Sequence, residues 1–152
     1  MLSVLVCEDD PAMVRIFQFL LRQQGIGSVL TTSNGEKVGA LAMEHQPALI
    51  LLDLMLPGKD GLTVLRELKS VEGTRAIPVI VVSGKESHEQ VQEAMMAGAI
   101  DYVIKPFEPM ELGVRIKSFL ETVSVPTPPP PQTPPPVQTP PPPITPFGGP
   151  TL

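Results

Sequence analysis

Leu49-Ile50-Leu51-Leu52-Asp53-Leu54-Met55-Leu56-Pro57-Gly58 sets four apolar residues against a carboxylate and closes on a proline–glycine break. A strand with one wet face alternates apolar and polar residues. A continuously apolar run that ends in a turn signal fits a strand covered on both faces. Val79-Ile80-Val81-Val82 repeats the pattern and runs into Ser83-Gly84. Working outward, apolar runs recur at 2–7, 26–31, 48–52, 77–82 and 100–104. Helical spacing fills the intervals at 13–24, 35–46, 61–71, 87–97 and 108–122. In the first interval Ile16, Phe17, Leu20 and Leu21 share a face. Asp10 suits a helix cap, with Pro11 in the first turn, and Gly25 and Gly98 suit helix ends. Five strands alternating with five helices predict an α/β chain built on a doubly wound, five-stranded parallel sheet.

The chain has 152 residues and a net charge of −5, with lysines and arginines scattered rather than striped. That balance argues against direct contact with nucleic acid. No run of eighteen apolar residues is present, so no membrane span is expected. The N-terminus turns acidic at once, unlike a secretory signal. A single cysteine makes no internal disulfide, which fits a reducing cytoplasm. Of the 20 prolines, fourteen crowd into residues 126–152, a stretch without one charged side chain. Such a segment buries too little to offset its ordering entropy. The expected organisation is a folded domain over 1–121 and a proline-rich, disordered tail or linker over 122–152.

In a parallel doubly wound sheet, chemistry gathers beyond the carboxyl ends of the strands. Strand one ends in Glu8-Asp9-Asp10, strand three in Asp53, strand four in Ser83 and strand five in Lys105. Asp53 follows a buried strand, where an unpartnered carboxylate is costly. Glu8 and Asp9 need a cation to offset their repulsion, and hard oxygen ligands suit Mg²⁺. Capping already accounts for Asp10. Lys105 could pair with the Asp53 carboxylate at rest and with a phosphoryl oxygen later. Ser83 offers a hydroxyl donor.

Other features carry less. Cys7 reads as a small buried hydrophobe, and His45 and His88 as surface residues. Gly84-Lys85 lacks the earlier glycine of a phosphate loop, since Val79 stands there. Gly25-Ile26-Gly27 follows a helix and lacks a third glycine, so it is no dinucleotide loop.

Four segments together carry a resemblance: 4–11 around Glu8-Asp9-Asp10, 52–61 around Asp53, 78–84 ending at Ser83-Gly84, and 98–107 around Lys105-Pro106. In this order they resemble the receiver domain of bacterial two-component response regulators, across about residues 2–121. The resemblance implies a flavodoxin-like strand order 2-1-3-4-5. It implies that Asp53 accepts a phosphoryl group from a phosphohistidine on a sensor histidine kinase or phosphotransfer protein. Asp9, Asp53 and the backbone carbonyl of Met55 would bind Mg²⁺, with Glu8 assisting through water. Lys105 would neutralise the phosphoryl group, Ser83 would shift to bond it, and Tyr102 would swing inward as Ser83 moves. The Lys105–Pro106 bond would be cis. Met55 and Lys85 occupy places that tune access of water to the phosphate. The readout would be the face of helix four, strand five and helix five, acting on an unidentified protein. No activity is implied beyond the chain's own phosphorylation and dephosphorylation.

Three other readings bear on the same residues. A phosphohydrolase with an aspartyl nucleophile wants a second acid two places after Asp53, where Met55 stands. A phosphorylation-independent docking module usually lacks the acid pair, the acceptor or the lysine, and all are here. The chain could also be the receiver fragment of a longer regulator. Because only the proline-rich segment follows, a stand-alone regulator is expected. Its Pro-x-x-Pro spacings have no Arg or Lys to orient docking, which favours a spacer.

Overall fold

Three strands bury their chains where the sequence is most apolar, and two more close the edges. β1 spans Ser3–Cys7, β2 Ser28–Thr32, β3 Leu49–Leu52, β4 Val79–Ser83 and β5 Asp101–Ile104. In the computed structural model, which describes residues 2–84 and 87–124, these form one parallel sheet in the order β2-β1-β3-β4-β5. The register pairs Val4 with Leu49, Ile50 with Val79 and Val81 with Tyr102. The helices are α1 (Pro11–Gln23), α2 (Val38–His45), α3 (Gly61–Ser70), α4 (His88–Met96) and α5 (Pro109–Ser124). This is the flavodoxin-like order that the family resemblance implied.

The continuous apolar runs are explained by a two-sided core. Leu5, Cys7, Ile50, Leu52, Val79 and Val81 face the layer containing Val38, Leu65 and Ala94 of α2, α3 and α4. Their neighbours Val4, Val6, Leu49, Leu51, Ile80 and Val82 face Phe17, Leu21, Leu112 and Ile116 of α1 and α5. Alternate side chains point to opposite faces, so a strand covered twice must be apolar throughout.

Several boundaries differ from the sequence expectation, each for a local reason. α1 starts at Pro11, and Asp10 caps it by accepting the Ala12 amide at 3.0 Å. Proline needs no amide partner there. β4 starts at Val79, since Pro78 has no amide to give the ladder. The expected helix over 35–46 is a single 3-10 turn, Gly35–Lys37, followed by α2 proper. Asn34 caps that turn through its side chain, while the Gly35 amide turns away to the Pro57 carbonyl at 2.9 Å. α5 continues past residue 121 to Ser124. The rest of the proline-rich segment, and Lys85, lie outside the described residues. Among the described residues no helix is long and apolar enough to cross a membrane.

Candidate functional site

Strand ends β1, β3, β4 and β5 bring the expected residues to one rim. Parallel pairing aligns Cys7 with Leu52 and Ser83 with Ile104, so the next residues along, Glu8, Asp53 and Lys105, emerge side by side. Backbone hydrogen bonds extend the alignment. The Asp53 amide donates to the Cys7 carbonyl at 3.0 Å, and the Lys105 amide to the Ser83 carbonyl at 2.9 Å.

Lys105 holds the centre. Its ammonium donates to Asp53 Oδ2 at 2.9 Å and to Glu8 Oε1 at 2.8 Å. The pairing with Asp53 was expected, but the bond to Glu8 was not. Sequence reasoning gave Glu8 only an assisting role, yet its side chain is buried, with the residue 2% exposed, and needs a partner of its own. Asp53 is 5% exposed. Its other oxygen, Oδ1, accepts the Met55 amide at 2.9 Å. The sequence offered Met55 as a carbonyl ligand and did not foresee this amide. Asp10 donates its amide to Glu8 Oε2 at 3.2 Å, so the third acid of the run braces the first.

These surroundings set the charges. Burial raises the Glu8 carboxyl above its ordinary range, partly countered by the hydrogen bond from Lys105 and the Asp10 amide. Burial alone would lower the Lys105 ammonium, but its bonds to Glu8 and Asp53 outweigh this and hold it up. Tyr102 is half-buried, and burial raises its phenol against the opposing effect of a hydrogen bond with Ser83. Ser83 is itself fully buried. The Lys105–Pro106 peptide is cis. Phe107, just beyond it, stacks on Phe17 of α1 with ring centroids 5.8 Å apart.

Carboxylate oxygens of Glu8, Asp9 and Asp53 lie within 4.8 Å of one another. Asp9 is exposed at the mouth of the cluster while the other two are buried. Three carboxylates beside one ammonium leave an excess of about two negative charges when all are ionised. A hard divalent cation with oxygen ligands balances that excess, so the donor set fits Mg²⁺. Cys7 stands beside the cluster, but burial pushes its thiol far up, which removes it as a ligand or nucleophile. His45 and His88 are exposed, on α2 and α4.

Residues 4–117 match the family model described as the response regulator receiver domain. The chain belongs to that family. This receiver is 37% identical over 121 residues to the phosphate regulon transcriptional regulatory protein PhoB of Escherichia coli K12, covering 80% of this chain and 52% of PhoB. It is 35% identical over 117 residues to the DNA-binding response regulator MtrA of Mycolicibacterium smegmatis, covering 77% of this chain and 50% of MtrA. The chain thus spans about half the length of the curated relatives it matches. Among solved structures, the receiver domain of the Pseudomonas aeruginosa PAO1 sensor histidine kinase PA1611 superposes with a TM-score of 0.71 at 27% identity. The match covers 79% of this chain and 98% of that one, which carries a magnesium ion in its active site cleft. As a receiver of two-component response regulators, the chain is a signalling module rather than a classical enzyme.

Proposed function

We propose that this receiver is a phosphoacceptor whose Asp53 takes a phosphoryl group from a phosphohistidine on a sensor histidine kinase or phosphotransfer protein. The observation that carries the reading is the buried Asp53 carboxylate held at 2.9 Å by Lys105 within a cluster of acids. In the transfer, an Asp53 oxygen forms a bond to phosphorus while the phosphorus–nitrogen bond breaks. The bonding electrons leave with the imidazole nitrogen. An aspartate is a weak nucleophile, so positioning and charge neutralisation dominate. Glu8, Asp9, Asp53 and the Met55 carbonyl are the groups that would hold Mg²⁺. Bound there, Mg²⁺ would offset charge on the transferring oxygens.

The remaining steps belong to the chain's own groups. Lys105 keeps its ammonium beside the acceptor and meets the phosphoryl oxygens as they arrive. The product carries nearly two negative charges where one stood. Ser83 then exchanges toward the new oxygens, and Tyr102, hydrogen-bonded with Ser83, follows it inward. Phosphate drives this shift only by binding the shifted state better. The readout is the surface of α4, β5 and α5, where Met95, Met96 and Ile104 expose apolar side chains to a protein partner. The Met55 side chain, 55% exposed beside Asp53, hinders water at the phosphate. An uncharged, proline-rich composition supports a spacer role for residues 125–152.

Intact-mass measurement after incubation with acetyl phosphate and Mg²⁺ tests the reading. The wild-type chain gains one phosphoryl group, and Asp53→Asn, or omission of metal, abolishes the gain. A wild-type chain that gains none from acetyl phosphate or a phosphohistidine protein would sink it.

A further inference from the structure

Ser33 and Lys37, after β2, line the same pocket as Glu8 and Asp9, and the chain from Thr32 to Gly35 braces both loops that form the acidic cluster. On one side the Thr32 carbonyl accepts the Glu8 amide at 3.0 Å. On the other, the Gly35 amide donates to the Pro57 carbonyl at 2.9 Å, in the loop between Asp53 and α3. The approach is close. A methyl group on Gly35 would overlap the backbone carbonyl of Lys59, which cannot rotate aside as a side chain could. One residue earlier, the Asn34 side chain lies against Gly58, whose φ is +92° and where a Cβ would collide with Asn34 Oδ1. That oxygen also accepts the Glu36 amide at 2.8 Å, and the Asn34 amide donates to Thr32 Oγ1 at 3.2 Å. Asn34 is therefore fixed on two sides. Asn34-Gly35 and Pro57-Gly58-Lys59 interlock backbone to backbone.

The same loop is fixed at its ends. The Gly61 amide donates to the Leu54 carbonyl at 3.2 Å, and the Met55 amide to Asp53 Oδ1 at 2.9 Å. The stretch from Pro57 to Lys59 has the β2–α2 turn as its abutment. Thr32, the last residue of β2, holds Glu8, so the end of β2 and the turn after it support the two acidic loops from outside the β1–β3 pairing that puts Asp53 beside Cys7. Mg²⁺ demands near-ideal octahedral geometry at about 2.0–2.1 Å, so a shift of a few tenths of an ångström in that spacing matters.

We propose that Asn34 and Gly35 are positioning residues for the divalent cation, holding the Asp53–Met55 segment at coordinating distance from Glu8 and Asp9. The proposal rests on reading the acidic cluster as a Mg²⁺ site, and it deepens that reading by adding residues that touch neither the ion nor the phosphate. Outer supports of this kind typically change metal affinity by about 10-fold or more when removed.

Isothermal titration of the full chain with Mg²⁺ alone tests it. Gly35→Ala raises the Kd about 10-fold. Gly39→Ala, in α2, leaves it unchanged, because a methyl group there meets nothing within 4 Å. Asn34→Ala keeps the Gly35 backbone contact and gives a smaller rise. In acetyl phosphate labelling, the half-saturating Mg²⁺ concentration rises by the same factor while the rate at saturating Mg²⁺ is kept. A merely structural defect would lower the second and leave the first. An unchanged Kd in folded Gly35→Ala overturns the proposal. Should that variant fail to fold, an unchanged Kd in Asn34→Ala overturns it instead. A wild-type chain that binds no Mg²⁺ overturns the metal site with it. A wild-type chain that binds Mg²⁺ but takes no phosphate overturns only the phosphoacceptor reading.

Discussion

The interiors of β1 and β3 and the residues one step beyond them are buried to nearly the same degree. Val4, Leu5 and Val6 are inaccessible, and so are Leu49, Ile50 and Leu52. Glu8 at 2% and Asp53 at 5% are scarcely more open. Burial therefore does not separate core from site here. What separates them is whether burial is favourable by itself. Each apolar side chain gains roughly 1.5–3 kcal/mol on leaving water. Each carboxylate loses hydration and is tolerable only through named partners: Lys105 for both, the Met55 amide for Asp53, and the Asp10 amide for Glu8. The core is held by many interchangeable contacts, and the rim by a few that cannot be exchanged.

Removing the shared cation should break this contrast most sharply. Lys105→Met strands two buried carboxylates, and loss of one partner from a buried pair typically costs about 3–5 kcal/mol. Urea denaturation with chelator present should show that loss. Adding Mg²⁺ should then stabilise the variant by more than it stabilises wild type, since the ion replaces the missing charge. An equal gain in both would mean that the ion and the lysine do not share the same acids. Leu51→Ala, in the interior of β3, is expected to cost about 3 kcal/mol through the cavity it leaves. Mg²⁺ should restore no more stability to it than to wild type.

The smallest effect probes Glu8 alone. Its folded pKa lies above its unfolded one, so the folded chain holds the proton more firmly. That residue's contribution to stability is fully present below the ordinary carboxylate range and is lost as pH rises through the folded value. In chelator, Glu8→Gln should therefore stabilise the fold at neutral pH and flatten this part of the pH dependence. The gain should shrink on acidification and vanish when Mg²⁺ is added to wild type. A loss of stability at neutral pH would show that the Lys105 bond outweighs the burial of Glu8.

The doubly wound sheet was legible because both of its faces are covered, which makes Leu49–Leu52 and Val79–Val82 apolar without interruption. The rim was legible because parallel strands deliver their last residues to one side. The limits lay in hydrogen-bond detail that apolar spacing does not carry. The helix expected from 35 opens as a 3-10 turn and becomes α-helical only at Val38, because its first amides bond three residues back, Lys37 to Asn34 and Val38 to Gly35. The Pro57-Gly58 pair announced a turn, but nothing in it announced the Asn34-Gly35 segment that it meets. Glu8 was legible as an acid of the cluster. Its bond to Lys105 was not, because it joins residues 97 positions apart and depends on side-chain reach at the rim.

A lysine with two carboxylate partners can give up one and keep the other. With Glu8 as an anchor, Lys105 can turn its remaining protons from Asp53 to an incoming group without leaving the rim or being set loose in solvent. The ammonium then behaves as a pivot: one hydrogen bond fixes where it stands, while the other is free to change hands.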